Sequence, residues 1–309
     1  MAKRTIYTRV YSPSSAGQLT SGRSSTGRPL SEHDILTYFP KHADRENRIH
    51  TPFVSVSSRI VDTIQRAFQK LESGESPADI WVVFIEVLAD GGQTPAKLHR
   101  AQDLAKWCLL RKGQNSSHLN KPSKFQHESV FEWSIPEDYI LHRVSLRTLI
   151  DRELPFELPV HQVSSTKELR DIIISVGEFQ GASPFDIGVS LGFFARAFGA
   201  RAPLGWIAYQ LYYDCVRTHI EWDSQMVDLD YGNGHSERVD FDFFCLLDHG
   251  VDTALLDWWL DTSDFARQYE EFDNWRNDRE EDNIAWYLMD FGEAWTREKI
   301  EAEAVRIGL

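Results

Sequence analysis

The sequence Phe53-Val54-Ser55-Val56-Ser57-Ser58 combines an apolar strand pattern with three hydroxyl side chains, and an amphipathic segment follows it directly. In that segment apolar residues recur at helical spacing on one face, namely at Ile60, Ile64, Ala67, Phe68 and Leu71. Ser58 is predicted to cap this helix, and Ser73-Gly74 is predicted to end it. Residues 80–88 form an unbroken apolar run, which predicts a central buried strand. This part of the chain therefore mixes strands and helices.

Two further short elements lie on either side of this stretch. Tyr7-Thr8-Arg9-Val10 predicts an opening strand that carries one arginine between apolar neighbours. Phe125-Gln126-His127-Glu128 precedes the alternating residues 129–133, which predict another strand. Residues two apart on an extended segment share a face, so Gln126 and Glu128 can point at one substrate while His127 points away.

In this order, the three elements resemble the R-S-E motif of the cholera-toxin-like ADP-ribosyltransferases. The matching residues are Arg9, Ser55, Ser57, Gln126 and Glu128. The resemblance covers about residues 7–149 and is nearest to uncharacterised ADP-ribosyltransferase-like domains of fungal proteins. It implies an α+β amino-terminal domain in which two small sheets pack together with helices.

The resemblance also implies an activity, namely that of a NAD-dependent mono-ADP-ribosyltransferase or a NAD glycohydrolase. Both enzymes cleave the bond between nicotinamide and ribose. Glu128 would stabilise the positive charge that develops on the ribose, as carboxylates do in glycoside hydrolases. Gln126, in the Gln-x-Glu pair, would contact the acceptor, and arginine acceptors are disfavoured when glutamine stands there. Arg9, Ser55 and Ser57 would bind NAD.

The alternative is a catalytically inactive interaction module that keeps this fold. Val56 stands where the family usually has threonine, which removes a hydroxyl from the motif. The chain has no Walker motif, no dinucleotide fingerprint and no metal-ligand spacing of His or Cys, so NAD would bind in the transferase manner. NAD, as a substrate, and an acceptor that we expect to be a protein are the predicted ligands.

The length of 309 residues and a pair of prolines predict two domains, at residues 1–154 and 160–309, with Pro155 and Pro159 in the linker. Before the linker, residues 139–149 predict a strand, and residues 101–110 fit a helix or a strand equally well. Beyond it the pattern predicts helices at residues 166–176, 184–199 and 203–219. Residues 226–231 and 236–243 predict a β-hairpin, and the chain from residue 251 is predicted to be helical and is rich in tryptophan.

Charge is distributed unevenly along the chain. The net charge is −14, and from Glu221 onward there are 24 acidic and only 7 basic side chains. This acidic region should repel duplex nucleic acid and is a candidate surface for a basic partner. No apolar run is long enough to span a bilayer, no secretion signal is recognisable, and three cysteines without metal spacing predict reduced thiols. We therefore expect a cytoplasmic protein with no membrane partner.

Overall fold

The computed structural model describes the following residues: 4–25, 28–44, 47, 49–88, 97–112, 119–152, 154, 163, 165–221 and 226–261. Residues Ala2–Leu255 form one compact unit. The predicted linker prolines lie outside the described residues, and so does the acidic, tryptophan-rich region beyond residue 261. The division into domains 1–154 and 160–309 therefore stays a prediction.

The elements follow one another in a mixed α+β order, as the sequence predicts. Up to residue 151 they are β1 (Arg4–Tyr11), α1 (Glu32–Ala43), β2 (Phe53–Ser57), α2 (Ile60–Glu72), β3 (Trp81–Leu88), β4 (Leu98–Arg100), α3 (Ala101–Lys112), β5 (Glu128–Glu132), β6 (Ile140–Ser145) and α4 (Leu146–Asp151). After it they are α5 (Thr166–Val176), α6 (Pro184–Arg196), α7 (Leu204–Cys215), β7 (Arg217–Glu221), β8 (Met226–Asp230), β9 (Ser236–Asp240) and α8 (Phe241–Asp261).

Six strands form a single antiparallel sheet in the order β4-β5-β2-β1-β3-β6. The resemblance implies two packed sheets, and the structure differs in this respect. The two halves of the sheet are joined between β1 and β2, which meet at one register pair, Thr8 with Ser57. By contrast, β1 pairs with β3 along its whole length. The two halves of the sheet are therefore paired least extensively at its centre.

Both faces of this sheet are covered by apolar side chains. On one face lies a cluster that includes Val54, Val56, Val83 and Phe131. On the other, α1 and α3 contribute to a second cluster around Phe53 and Val130. Alternation along β2 sends neighbouring residues to opposite faces, so Phe53 and Val54 belong to different clusters.

The helix α2 begins without the cap that the sequence predicts. Its N-cap residue is Arg59, which forms no side-chain capping hydrogen bond, and the Ser58 hydroxyl donates instead to the carbonyl of His127. The free helix donor is satisfied from α7, where Asp214 Oδ2 accepts the Val61 N–H at 3.1 Å. Asp214 also lies 3.3 Å from Arg59 Nε. A residue 153 positions further along the chain thus supplies the cap of α2.

Several boundaries differ from the predictions. Residues 146–151 form α4 and not the end of a strand, because Ser145 accepts the Thr148 N–H and so caps a helix there. Residues 101–110, which fit a helix or a strand by sequence, are helical and belong to α3. The predicted helix at 203–219 ends at Cys215, and β7 follows. The β8–β9 hairpin is confirmed, and it joins β7 in a three-stranded antiparallel sheet. Its second strand ends at Asp240 and not at residue 243, and α8 begins at Phe241, ten residues before the predicted start of helix.

The helices α6 and α8 approach each other closely at three glycines. A Cβ atom added at Gly188 would lie 2.0 Å from the carbonyl oxygen of Leu247. One added at Gly250 would lie 2.1 Å from the carbonyl oxygen of Phe185. At Gly192 it would lie 2.6 Å from the Cβ of Ala254. These glycines therefore allow the two backbones to touch.

None of the three cysteines forms a disulfide. Cys108 and Cys215 are buried, whereas Cys245 on α8 is exposed. None of the helices in the described ranges is both long and apolar enough to cross a lipid bilayer.

We expect Gly188→Ala to destabilise the protein by about 1–3 kcal/mol or more, because the new methyl group would overlap a main-chain oxygen that cannot move alone. The matched control is Gly205→Ala on α7, where an added Cβ would meet nothing within 4 Å. That variant should be neutral or more stable by up to about 1 kcal/mol, since alanine favours helix. Urea unfolding followed by circular dichroism measures both, and equal midpoints for the two variants would contradict the close approach.

Asp214 generates a second prediction, on pH. Burial raises the pKa of this carboxyl from 3.8 to about 6, although Arg59, the Val61 N–H and Gln210 act in the opposite direction. Between pH 4 and 6 the folded state therefore binds the proton more tightly than the unfolded state. The contribution of Asp214 to the free energy of unfolding should fall as pH rises through this window, by on the order of 3 kcal/mol, and stay constant above it.

The variant Asp214→Asn removes this titration. The difference in unfolding free energy between the natural chain and Asp214→Asn isolates the effect, because the other carboxyls titrate in both proteins. We expect the natural chain to lose stability relative to Asp214→Asn as the pH rises from 4 to 6. A difference that is flat across this range would show that Asp214 is ionised throughout it.

Candidate functional site

Glu128 lies at the start of β5, in a row with Ser57 of β2 and Thr8 of β1. It is partly buried, and its carboxylate forms no hydrogen bond or ion pair with any residue that the structure describes. Glu132 on the same strand is the opposite case, because its carboxylate accepts from His99 Nε2 and from the Leu30 N–H, both at 2.8 Å. A partly buried carboxylate without a partner is available to a ligand.

A cavity of about 350 Å³ opens beside Glu128. Three of the five predicted site residues line it: Ser57, Gln126 and Glu128. Its other walls come from α2 and from the first turns of α5. The size falls within the range of ligand pockets, which begins at about 300 Å³.

His127 differs from its prediction. It lines the same cavity, and its Nε2 lies 2.5 Å from Gln126 Nε2. The backbone at Gln126 is helical, with φ −60° and ψ −29°, so the alternation of an extended strand does not apply before Glu128. Burial lowers the pKa of His127, and Arg59 lowers it further, so its imidazole is neutral at pH 7.

Arg9 lies where β1 and β2 separate. Its guanidinium donates to three main-chain carbonyls: Gln18 at 2.7 Å, Ser55 at 2.5 Å and Gly17 at 2.8 Å. Arg9 is not among the residues that line the cavity beside Glu128. The side chain thus joins β2 to the loop after β1, and these bonds use three of its five N–H groups.

Ser55 contacts a histidine that the sequence analysis does not assign to the site. The Ser55 hydroxyl lies 2.7 Å from His42 Nε2, and His42 Nδ1 lies 2.8 Å from the Thr51 hydroxyl. Burial lowers the pKa of His42 to about 4, so the imidazole is neutral at pH 7. His42 ends α1 and lies nine residues before Thr51, a spacing that carries no recognisable signal.

Ser57 and Val56 have different surroundings. The Ser57 hydroxyl is buried and accepts the Arg59 N–H at 3.1 Å, so it orders the turn into α2. Val56, which replaces the usual threonine, lies in the apolar cluster on the opposite face of the sheet. A threonine hydroxyl at this position would need a partner in that cluster.

The charge of Glu128, on the cavity, acts on Arg9 and His42, which lie beside the cavity. Burial lowers the pKa of Arg9 to about 10, the charge of Arg66 lowers it further, and the charge of Glu128 opposes both. Glu128 likewise raises the pKa of His42 against the larger effect of burial. The structure therefore groups the predicted residues in two neighbouring sets, with Ser57, Gln126 and Glu128 on the cavity and Arg9 and Ser55 beside it.

The wall of the cavity carries cations that were not predicted from the sequence. Arg59 and Arg66 are seven residues apart and so lie on one face of the helical segment, a signal that was present in the sequence. Lys167 and Arg170 on α5 also line the cavity. Nothing in the spacing between residues 66 and 167 indicates that they meet. Among the described residues, no group of three or more His, Cys, Asp or Glu side chains is placed to hold a metal ion.

Comparison with known proteins gives a match over part of the chain. Residues 4–149 match a family model that is described as a domain of unknown function (DUF7587). No curated protein matches the chain. The matched segment runs from β1 into α4, so it includes all five predicted site residues, whereas the cations of α5 lie beyond it.

Proposed function

We propose that the protein is a NAD-dependent mono-ADP-ribosyltransferase or NAD glycohydrolase that acts inside cells, with Glu128 as the catalytic carboxylate. The observation that carries this proposal is the unpaired carboxylate of Glu128 on the cavity that also contains Gln126 and Ser57. Other carboxylates that are buried in the described core, such as Glu132 and Asp214, are satisfied by protein partners. The carboxylate of Glu128, by contrast, has no such partner among the described residues and is left for a ligand.

Cleavage of NAD requires a negative charge beside the ribose of the nicotinamide half. The bond between ribose C1′ and the nicotinamide nitrogen breaks, and its electron pair leaves with nicotinamide. Positive charge then develops on the ribose ring, and a carboxylate beside the ring stabilises it. Water or an acceptor group adds at C1′ and loses a proton. Glu128 would supply the charge, and it would accept a hydrogen bond from the ribose 2′-hydroxyl.

The neighbouring residues would hold the substrate and the carboxylate in place. Arg9 keeps the loop at Gly17 and Gln18 attached to β2, and its guanidinium would bind NAD. Ser55 is oriented by the neutral His42, which is in turn held by Thr51. Gln126 would contact the acceptor, which we expect to be a protein.

The rival proposal is an inactive interaction module with the same fold. Its main support is the valine at position 56, but that side chain faces the apolar cluster and not the cavity. The substitution therefore removes no hydroxyl from the cavity wall. The two proposals differ in one measurable property, which is the release of nicotinamide from NAD by the purified chain.

We expect Glu128→Gln to lower the rate of nicotinamide release by about 10²–10³-fold, because it keeps the shape of the side chain and removes the charge. The KM for NAD should change little, since the lost interaction strengthens only as the ribose becomes positive. Chromatographic measurement of nicotinamide from purified protein tests both values.

The matched control is Glu72→Gln, which removes an exposed carboxylate at the end of α2, away from the cavity. Its rate should equal that of the natural chain. Equal rates of nicotinamide release by the natural chain and by Glu128→Gln would disprove the catalytic role of Glu128. No release by any of the three proteins would favour the inactive module.

Gln126→Ala should separate transfer from hydrolysis. We expect labelling of acceptors in a cell lysate to fall by more than tenfold, while nicotinamide release without lysate stays within about twofold, because water needs no acceptor contact. Gln69→Ala, on the exposed part of α2, is the control. A parallel loss of both activities would show that Gln126 serves the NAD-cleaving step itself.

A further inference from the structure

The cavity beside Glu128 has an excess of positive charge. Five cations line it: Arg59 and Arg66 from α2, Lys124 from the turn before β5, and Lys167 and Arg170 from α5. The carboxylates on its wall are Asp62 and Glu128. Side chains of one sign repel each other when they gather around a cavity, so this arrangement disfavours the empty state.

One of these cations is already neutralised. Arg59 lies 3.3 Å from Asp214 and 3.9 Å from Asp62, so its charge is used within the protein. The cations Arg66, Lys124 and Lys167 form no ion pair with any residue in the described ranges. Glu128 is then the one carboxylate left to balance the remaining charges of the wall.

Arg170 carries an unsatisfied donor. Its Nη2 donates to the Cys215 carbonyl at 3.0 Å, which fixes the position of the guanidinium. Its Nε–H is buried and has no hydrogen-bond partner among the residues that the structure describes. A buried donor without an acceptor raises the free energy of the folded state by about 1–3 kcal/mol. Arg170 also lines the cavity, so its positive charge acts on a ligand there.

The start of α5 adds to the positive charge of the cavity wall. Thr166 is the first residue of this 11-residue helix and lines the cavity. The Ser165 hydroxyl caps the Glu168 N–H, and the other N–H groups at this end of the helix carry a partial positive charge, which favours an anion. Arginine and lysine together with such an end are the groups by which proteins bind phosphate.

We propose that this cavity binds a phosphate or pyrophosphate group of a substrate, held by Arg66, Lys167 and Arg170 beside Glu128. The proposal deepens the proposed function, since the group would belong either to NAD or to a phosphate-bearing acceptor. The binding of phosphate itself does not depend on catalysis. It can therefore be tested on its own.

The test is isothermal titration of the full chain with inorganic pyrophosphate, for the natural protein and for the double variant Arg66→Gln/Lys167→Gln. These two cations make no ion pair with the described residues, so the fold should tolerate their loss. We expect the variant to bind between about tenfold and a hundredfold more weakly. Higher salt should weaken binding by the natural chain.

The control is Lys106→Gln on α3, an exposed lysine that lies 3.8 Å from Asp103 and outside the cavity. It should bind pyrophosphate as tightly as the natural chain. No binding by the natural chain, or equal binding by the double variant, overturns the proposal. This result is independent of nicotinamide release, so failure of the binding site and failure of the enzyme are told apart.

Titration with NAD identifies the source of the phosphate. If the double variant loses affinity for both NAD and pyrophosphate, the cavity holds the pyrophosphate of NAD. If it loses affinity for pyrophosphate alone, the cavity holds a phosphate of the acceptor. Either outcome supports a phosphate site in this cavity.

Discussion

The carboxylate of Asp214 holds the amino-terminal end of α2, and the placement of the cavity depends on this contact. The first turn of the helix has no cap from its own N-cap residue, Arg59. Its Val61 N–H therefore needs an acceptor, and the Arg59 guanidinium needs an anion. Asp214 satisfies both from α7. With its first turn fixed, α2 packs against β1, where the Thr63 hydroxyl lies 2.7 Å from that of Thr8. The same helix then carries Arg66 to the cavity. Removing one partner of a buried ion pair leaves a charge uncompensated, which makes this junction a critical point of the fold.

Three carboxylates of the described chain, those of Asp214, Glu132 and Glu128, have contrasting surroundings. Asp214 and Glu132 bind main-chain N–H groups and basic side chains, and so hold segments that are distant in sequence. Glu128 holds no segment, yet its charge acts on Arg9 and on His42. Desolvating a carboxylate without a partner is unfavourable. Its position on a cavity with excess positive charge is therefore better explained by a ligand than by stability.

Much of the fold follows from local sequence patterns. The β2–α2 transition, the strand β3, the β8–β9 hairpin and most of the helices are where the apolar pattern places them. The amphipathic helices each bury one regular apolar face, and β3, an unbroken apolar run, is buried on both faces. The single β1–β2 register pair and the cap from Asp214 were not predictable, since both are tertiary contacts between distant residues. The strand β7 follows α7 with only Val216 between them, so no glycine or proline marks the change. The three predicted motifs do lie on adjacent strands, but no spacing indicates that α5 completes the wall beside them.

The burial of two of the three thiols has a practical consequence. Cys108 is a residue of α3 and lies buried in an apolar cluster, and Cys215 is also buried, which raises the pKa of its thiol, so neither sulfur is open to reagents. Cys245 is exposed on α8. The natural chain thus offers a maleimide reagent one attachment point, at a residue that does not line the cavity beside Glu128. A fluorophore or spin label can be placed there without any substitution, and it would leave every group proposed to touch the substrate unmodified.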